Sequence, residues 1–178
     1  MSVIEKRGSI RSEAVYSDDY AHRFILRKEW DREKKRAVII MIHPNTNDPF
    51  EIDVTTMRIV NNLNRLKYGY CDITNLYSLV LPGKLKSKDY SNDLLHESND
   101  GYIMRAVQRA DSVILAWGSA EETSKQISKR VSELMERLEP YKDKMYIITD
   151  KHTNVARHPL ASSVANQWNL VKVFNHNN

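Results

Sequence analysis

The segment "AVIIMIHPNTND", residues 37–48, decides the fold of this chain. Its first half, "AVIIMI" (37–42), is an unbroken apolar run rich in β-branched side chains, which is typical of a strand buried on both faces. The run stops at His43-Pro44, and the polar residues that follow are able to cap a helix or hold a ligand. We therefore interpret residues 37–42 as the first central strand of an α/β domain, and residues 43–48 as the loop at its carboxyl end.

Upstream of this strand we expect an arm and one further strand. Residues 1–18 show no hydrophobic periodicity and are interpreted as a flexible N-terminal arm. "HRFILRKEW" (22–30) mixes apolar and basic residues as strands do, and "DREKKR" (31–36) is typical of a charged turn. Residues 22–42 therefore predict a hairpin whose second strand enters the core. Residues 19–178 are expected to form a single α/β domain.

Downstream, helical and strand patterns alternate. "DVTTMRIVNNLNRLKYG" (53–69) has apolar residues at helical spacing, with Asp53 to open a helix and Gly69 to close it. Those apolar positions are Val54, Met57, Val60 or Ile59, Leu63 and Leu66. Later segments predict, in order, a strand (70–81), the breaker pair Pro82-Gly83, a polar loop (84–97), a helix (98–110), a strand (112–118), a helix (119–140), a strand (144–150) and a short strand (170–174). This alternation predicts an α/β fold: a three-layer α/β/α arrangement with a central, mostly parallel four-stranded sheet plus an N-terminal hairpin strand.

Composition limits the class of protein. The chain has 178 residues, 41% of them hydrophobic, which is enough for one core and short for two domains. Cys71 is the only cysteine, so an internal disulfide and a cysteine-based zinc site are both excluded. The N-terminus lacks the apolar core of a signal peptide, and no apolar run approaches the ~18 residues of a membrane span. We expect a cytoplasmic protein without a membrane partner, whose formal charge of +4 permits nucleic-acid binding without requiring it.

Polar and aromatic residues gather where the predicted strands end. In sheets of this kind, ligands bind beyond the carboxyl ends of the strands, near the point where strand order reverses. The candidate site residues are His43, Pro44, Asn45, Thr46, Asp48 and Phe50 after the first strand, Asn75 and Tyr77 at the second, Trp117 and Gly118 after the third, and Arg157 and His158 after the fourth. Such a set, with few paired carboxylates, is typical of a pocket for a planar hydrogen-bonding ligand such as a nucleobase. We predict neither a metal nor a cofactor.

Six segments carry a resemblance to a known family. "RFILRKEW", "MIHPNTND", "ITNLYSLVL", an "ND" before a helix, "RADSVILAWG" and "RHPL" follow one another in the order and spacing of domain of unknown function 1643, a family of bacteria and phages. The resemblance covers roughly residues 20–175. That family in turn resembles the uracil-DNA glycosylase superfamily, so the resemblance implies a glycosylase-like domain over residues 19–178.

The second resemblance implies roles for particular residues. In the glycosylases, Asp or Asn before a proline positions the hydrolytic water, an Asn on the second strand binds the base edge, and a His-Pro-Ser loop steadies the leaving base. The matching positions here are His43-Pro44, Asn75 and His158-Pro159. The chain departs from the pattern at His43, where Asp or Asn is usual, and at Leu160, where the loop has Ser.

The residues leave several roles open. His158 is able to donate to the departing base, and the water could be oriented by His43, Asp48 or Asp53. Asp53 also fits a simple helix cap. Stacking on a base would fall to Phe50, Tyr77 or Trp117, although Trp117 also fits a core position.

Two functions fit these observations. The first is a glycosylase-like hydrolase that acts on the N-glycosidic bond of a base in DNA or a nucleotide. The alternative is a non-catalytic protein that binds a nucleotide or modified base in the same strand-end pocket, to sequester or sense it. The missing carboxylate before Pro44 is the reason for the alternative. Both functions predict DNA or a nucleotide as the partner.

Overall fold

The computed structural model describes residues 3–46, 48–81 and 91–174 of the chain, without the side chains of Glu121 and Thr123. The strands are β1 (Arg11–Tyr16), β2 (Arg23–Glu29), β3 (Lys35–Met41), β4 (Tyr68–Asn75), β5 (Ser112–Leu115), β6 (Met145–Thr149) and β7 (Asn169–Lys172). The helices are α1 (Val54–Arg65), α2 (Asn99–Arg109), α3 (Ala120–Thr123) and α4 (Lys125–Leu138). The predicted breaker Pro82-Gly83 and residues 84–90 of the predicted polar loop lie outside the described residues.

All the strands named above form one sheet, in the order β1-β2-β4-β3-β5-β6-β7. The central strands β4, β3, β5 and β6 are parallel, whereas β1, β2 and β7 are antiparallel to their neighbours. The predicted α/β class is confirmed. The predicted count of four strands plus a hairpin strand is wrong, because flanking strands extend the parallel centre to a seven-stranded sheet.

The predicted hairpin between β2 and β3 does not form, because β4 lies between them. Ile73 of β4 is paired with Leu26 of β2 on one edge and with Ile39 of β3 on the other. All eight residues of β4 are buried, so its backbone polar groups need a strand on each side. A strand that arrives later in the chain thus separates two consecutive strands.

The N-terminal residues also differ from the prediction. Residues 11–16, expected within the arm, form β1 and pair with β2. Residues 3–10 are exposed and have no regular structure. The sequence of β1 shows no hydrophobic periodicity because the strand is only partly buried, with Ala14 and Val15 packed against opposite faces of the sheet.

Helices cover both faces of the sheet and create two cores. On one face, Val38 and Ile40 of β3 pack in a cluster with residues of α2 and α4. On the other, Ile39 and Met41 pack in a cluster with residues of α1. The apolar run of residues 37–42 therefore predicts β3 correctly as a strand buried on both faces. No helix in the described parts of the chain is long and apolar enough to cross a membrane.

The helix α1 is only partly as predicted. Asp53 caps it as expected, since its carboxylate accepts the Thr56 main-chain N–H at 2.6 Å. The buried stripe of the helix, however, consists of Thr55, Thr56, Ile59, Asn62 and Leu63. Val54 and Met57 remain 55% and 44% exposed, because they lie off this stripe.

One predicted helix end is wrong, and one predicted continuous helix is divided in two. Gly69 does not close α1: the helix ends at Arg65, and Gly69 lies within β4. The long helix expected from Ser119 is broken, because the Ser124 hydroxyl accepts the Ile127 main-chain N–H at 3.4 Å and starts α4 there. Such local side-chain caps compete with continuation of a helix.

We expect Gly69→Ala to destabilise the protein. A Cβ at this position would lie 1.9 Å from the Asp31 carbonyl oxygen, whose residue also donates its N–H to Gly69. The displaced backbone should cost about 1–3 kcal/mol of unfolding free energy in a urea titration. The matched control is Gly101→Ala in α2, where a Cβ meets nothing within 4 Å, and which should be neutral or stabilising by about 0.5–1 kcal/mol. Equal stability of the two variants would contradict this packing argument.

Candidate active site at the strand ends

The order of the parallel strands places one reversal beside β3. The chain passes from β3 to β4 on one side and then to β5 on the other. Ligand crevices in such sheets lie at this reversal, beyond the carboxyl ends. The exits of the three strands remain side by side, since Leu76 donates its N–H to Met41 and Ala116 donates its N–H to Ile40, each at 2.8 Å.

Three of the predicted site residues, His43, Gly118 and His158, lie together at this reversal. We call the place that they form the switch crevice. Gly118 has a φ of 64°, and a Cβ there would lie 3.0 Å from the main-chain nitrogen of His158. Glycine thus permits both the left-handed turn after β5 and the close approach of the loop that carries His158. His43 is near enough that its charge acts on the His158 imidazole.

The hydrogen bonds of His158 define its chemistry. Its Nδ1 accepts the main-chain N–H of Leu160 at 3.1 Å, so the neutral ring carries its proton on Nε2. Burial lowers the pKa of His158, and the positive charge of a protonated His43 lowers it further. Near neutral pH, His158 is therefore an uncharged imidazole with an N–H to donate.

Helix α1 holds the loop that follows His158. Arg58 donates to the Pro159 carbonyl at 3.3 Å, and Arg65, one end of the same helix, donates to the Asn166 carbonyl at 2.9 Å. These contacts fix the segment after the imidazole against a rigid element.

A buried arginine holds the loop after β3 in place. The Arg23 guanidinium donates to the Thr46 carbonyl at 2.6 Å. Asp48 accepts the main-chain N–H of Phe50 at 2.7 Å, in a turn that leaves Phe50 84% exposed. Pro44 is buried.

Two further residues of this loop, Thr46 and Asn45, lie toward its outer part. The Thr46 hydroxyl donates to Glu51 at 2.6 Å, and Asn45 is exposed. The structure therefore places Asn45, Asp48 and Phe50 on the outer part of the loop.

Asn75 is the last residue of β4, and it lies beside Met41 in the parallel register. Its side chain is 1% exposed, and its Oδ1 is buried without a hydrogen-bond donor among the described residues. Its main-chain carbonyl accepts the side-chain amide of Asn99 at 2.9 Å, which fixes the strand exit. A buried acceptor without a donor is costly, so a bound group that donates to it gains affinity.

The two buried aromatic residues point into the core. Tyr77 is 2% exposed and donates its hydroxyl to the Gln126 carbonyl at 3.3 Å. Trp117 is 6% exposed and belongs to the apolar cluster on the α4 face. It lines an apolar cavity of about 140 Å³ that also touches Gly118 and Ala156. Neither ring is presented at the surface of the switch crevice.

Arg157 is engaged in the loop after β6. Its Nη2 lies 3.2 Å from Asp150, and its main-chain N–H donates to Ile148 at 2.8 Å. The main-chain N–H of His152 and further hydrogen bonds from Thr153 and Arg157 lower the pKa of Asp150 to about 2. Arg157 thus braces the loop that carries His158 rather than facing the other candidate residues.

Several residues that organise this edge were not predicted. Arg23 is 4% exposed, burial lowers its pKa to about 10, and its Nε has no acceptor in the described part of the chain. Arg130 of α4 donates to the Leu76 carbonyl at 3.0 Å and pairs with Asp100. Arg23 had a signal in the sequence, a basic residue at the start of an apolar strand, whereas Arg130 resembles any charged residue of an amphipathic helix.

Within residues 3–46, 48–81 and 91–174, no three His, Cys, Asp or Glu side chains come together as a metal site would need. The fold and the crevice therefore define an α/β protein whose hydrogen-bonding groups converge at a topological switch point. The chain belongs to the family described as Protein of unknown function (DUF1643), whose family model matches residues 23–160. The match extends from Arg23 to Leu160 and so includes the whole crevice, and it confirms the family resemblance of the sequence motifs. Neither a curated protein nor a solved structure matches the chain.

Asp150→Asn should reduce stability in a pH-dependent way. Because the folded state lowers the pKa of Asp150 to about 2 from an ordinary value of 3.8, its stabilising effect is fully present above that ordinary value. It is lost as the pH falls toward 2 and the carboxylate is protonated in the folded state too. Urea unfolding from pH 7 to pH 2 should show a wild-type advantage that disappears at the acid end. An advantage that stays constant down to pH 2 would contradict the assignment.

Proposed function

We propose that the switch crevice binds a nucleobase of DNA or a nucleotide and hydrolyses its N-glycosidic bond. The observation that carries the proposal is the neutral His158, whose Nδ1 is occupied by Leu160 and whose Nε2–H is left to donate. A donor of this kind stabilises negative charge that develops in the transition state. The buried amide oxygen of Asn75, on the strand beside β3, supports base recognition because it is able to accept a hydrogen bond from an N–H on the base edge.

The reaction breaks the bond between the sugar C1′ and the base nitrogen. The bonding electrons leave with the base, and His158 donates its Nε2–H to a base oxygen where the charge collects. Water adds its oxygen to C1′, and its displaced proton balances the charge on the departing base. The products are the free base and a sugar with a C1′ hydroxyl.

His43 is the residue we propose to orient the water. Asp53 is occupied as the cap of α1, and Asp48 accepts the Phe50 N–H on the outer part of its loop. His43 lies at the exit of β3, close enough to influence the charge of His158. A neutral imidazole is able to accept a hydrogen bond from water.

His158→Ala should slow base release far more than it weakens binding. Loss of a transition-state donor costs roughly 10²–10³-fold in rate, since the donor acts on charge that is absent from the ground state. The assay incubates protein with single- and double-stranded DNA carrying normal, deaminated and modified bases, and measures released base by mass spectrometry. His152→Ala is the matched control, because His152 is an exposed histidine of the same loop. Equal release of base by both variants would contradict this role of His158.

A second function, binding of a nucleotide or modified base without catalysis, is favoured by a specific observation. Both nearby carboxylates, Asp48 and Asp53, accept main-chain N–H groups, and the residue before Pro44 is a histidine. A crevice without a strong base is suited to sequestering or sensing its ligand. Under this function the DNA assay yields no free base, although the folded protein retains the ligand.

The binding function predicts that added ligand stabilises the folded protein by RT ln(1 + [L]/Kd) and so raises its melting temperature, and that the ligand is recovered unchanged. Asn75→Leu should abolish this increase, because it removes the buried acceptor while keeping similar volume. Asn64→Leu, at an exposed position of α1, is the control and should leave the increase intact. Chemically altered ligand after incubation would speak for hydrolysis instead, and equal thermal shifts in both variants would exclude Asn75 from recognition.

A further inference from the structure

A buried lysine outside the switch crevice forms hydrogen bonds to neutral acceptors and has no ion pair with the described residues. Lys28 of β2 is 1% exposed, and its ammonium donates to the Ser12 hydroxyl and the Pro49 carbonyl, each at 2.7 Å. Both acceptors are neutral, and among the described residues no carboxylate lies within 4.0 Å of the ammonium. Burial lowers the pKa of Lys28, and the carboxylates of Asp48 and Asp53 oppose the decrease from a longer distance.

The same lysine forms part of an apolar groove. The groove runs between α1 and the β1–β2 edge of the sheet and encloses about 130 Å³. Its lining residues are Ile10, Lys28, Ile52, Thr56, Met57, Val60 and Asn61. Ile10, Ile52 and Met57 are 50%, 58% and 44% exposed, so apolar side chains continue from the interior to the rim. Adjacent exposed apolar side chains of this kind mark a binding surface more often than single ones do.

The segments that hold the Lys28 ammonium continue into this groove. Ser12, which accepts from Lys28, is two residues from the groove residue Ile10 in the chain. Pro49, the other acceptor, is three residues from the groove residue Ile52. The two segments that hold the ammonium therefore each supply one lining residue, and α1 supplies the opposite wall.

We propose that this groove binds a small aliphatic monocarboxylate, with its carboxylate on Lys28 and its tail along Ile52, Met57 and Val60. A carboxylate supplies a negatively charged acceptor at hydrogen-bond distance, whereas both acceptors that Lys28 now has are neutral. An inorganic anion would leave the apolar walls without a partner, and a neutral alkyl chain would leave the charge uncompensated. The site is separate from the switch crevice, and the inference does not depend on the function proposed there.

The groove also sets the size of the ligand. If a water-sized group occupies about 30 Å³, then 130 Å³ holds roughly four such groups. Because the carboxylate lies on Lys28, these groups correspond to about four carbons of the tail. Acids of about four to six carbons should therefore fill the groove, and longer tails should extend over the exposed rim. Each methylene buried within the groove should tighten the Kd roughly fourfold, until the gain stops at this length.

The test measures the Kd of the full chain by calorimetry and by thermal shift, for the unbranched acids from acetate to octanoate and for the alcohols of equal length. Affinity should rise with chain length up to about six carbons, and each acid should bind at least about tenfold more tightly than its alcohol. Alcohols as tight as the acids, or acids whose affinity does not depend on length, would overturn the proposal.

Two variants separate the charge from the groove. Lys28→Met keeps the stem and removes the ammonium, so the preference for acids over alcohols should vanish. Lys129→Met is the control, because Lys129 is an exposed lysine of α4 with a side chain that is 75% accessible. If Lys28→Met does not fold, Met57→Glu decides, since it adds a negative charge at an exposed rim position. It should weaken hexanoate at least about tenfold, and unchanged hexanoate affinity would refute the site.

Discussion

The pairing of β3 along both of its edges is the constraint on which the rest of the structure depends. Ile39 lies beside Ile73 of β4 on one edge and beside Ile114 of β5 on the other. Because both neighbours are parallel to β3, the three carboxyl ends meet at one border of the sheet. The chain has to leave β3 toward one side and return on the other. That reversal brings the loops of His43 and His158 to the same place, with Gly118 between them.

Local chemistry explains which parts of the fold the sequence predicts. Residues 37–42 are recognisable because a strand buried on both faces has no polar positions, and Asp53 because a helix cap is a contact over three residues. The insertion of β4 between β2 and β3 is invisible, since the choice of partner depends on residues more than thirty positions apart. The buried face of α1 is also ambiguous, because Thr55, Thr56 and Asn62 are buried while apolar Val54 and Met57 are exposed.

The site residues also divide into those that the nearby sequence predicts and those whose positions depend on contacts between distant segments. His43, Gly118 and His158 could be predicted because all three follow strands, and the ends of parallel strands converge. The orientation of a side chain at a strand end is not encoded in this way, so Tyr77 and Trp117 appear in the sequence as candidates although they pack inward. The position of Arg23 at the start of an apolar strand was its only signal, and the contacts that bury Arg23 and Lys28 could not be predicted. Their partners, the Thr46 and Pro49 carbonyls, reach them only because the loop after β3 folds back over β2.

The two arginine contacts of helix α1 connect the two loops of the switch crevice. The helix begins directly after the loop that carries His43, and through Arg58 and Arg65 it also grips the carbonyls of the segment after His158. The loops on both sides of the switch crevice are therefore attached to the same helix. An outward displacement of the first loop would therefore pull on the same helix that holds the segment after His158.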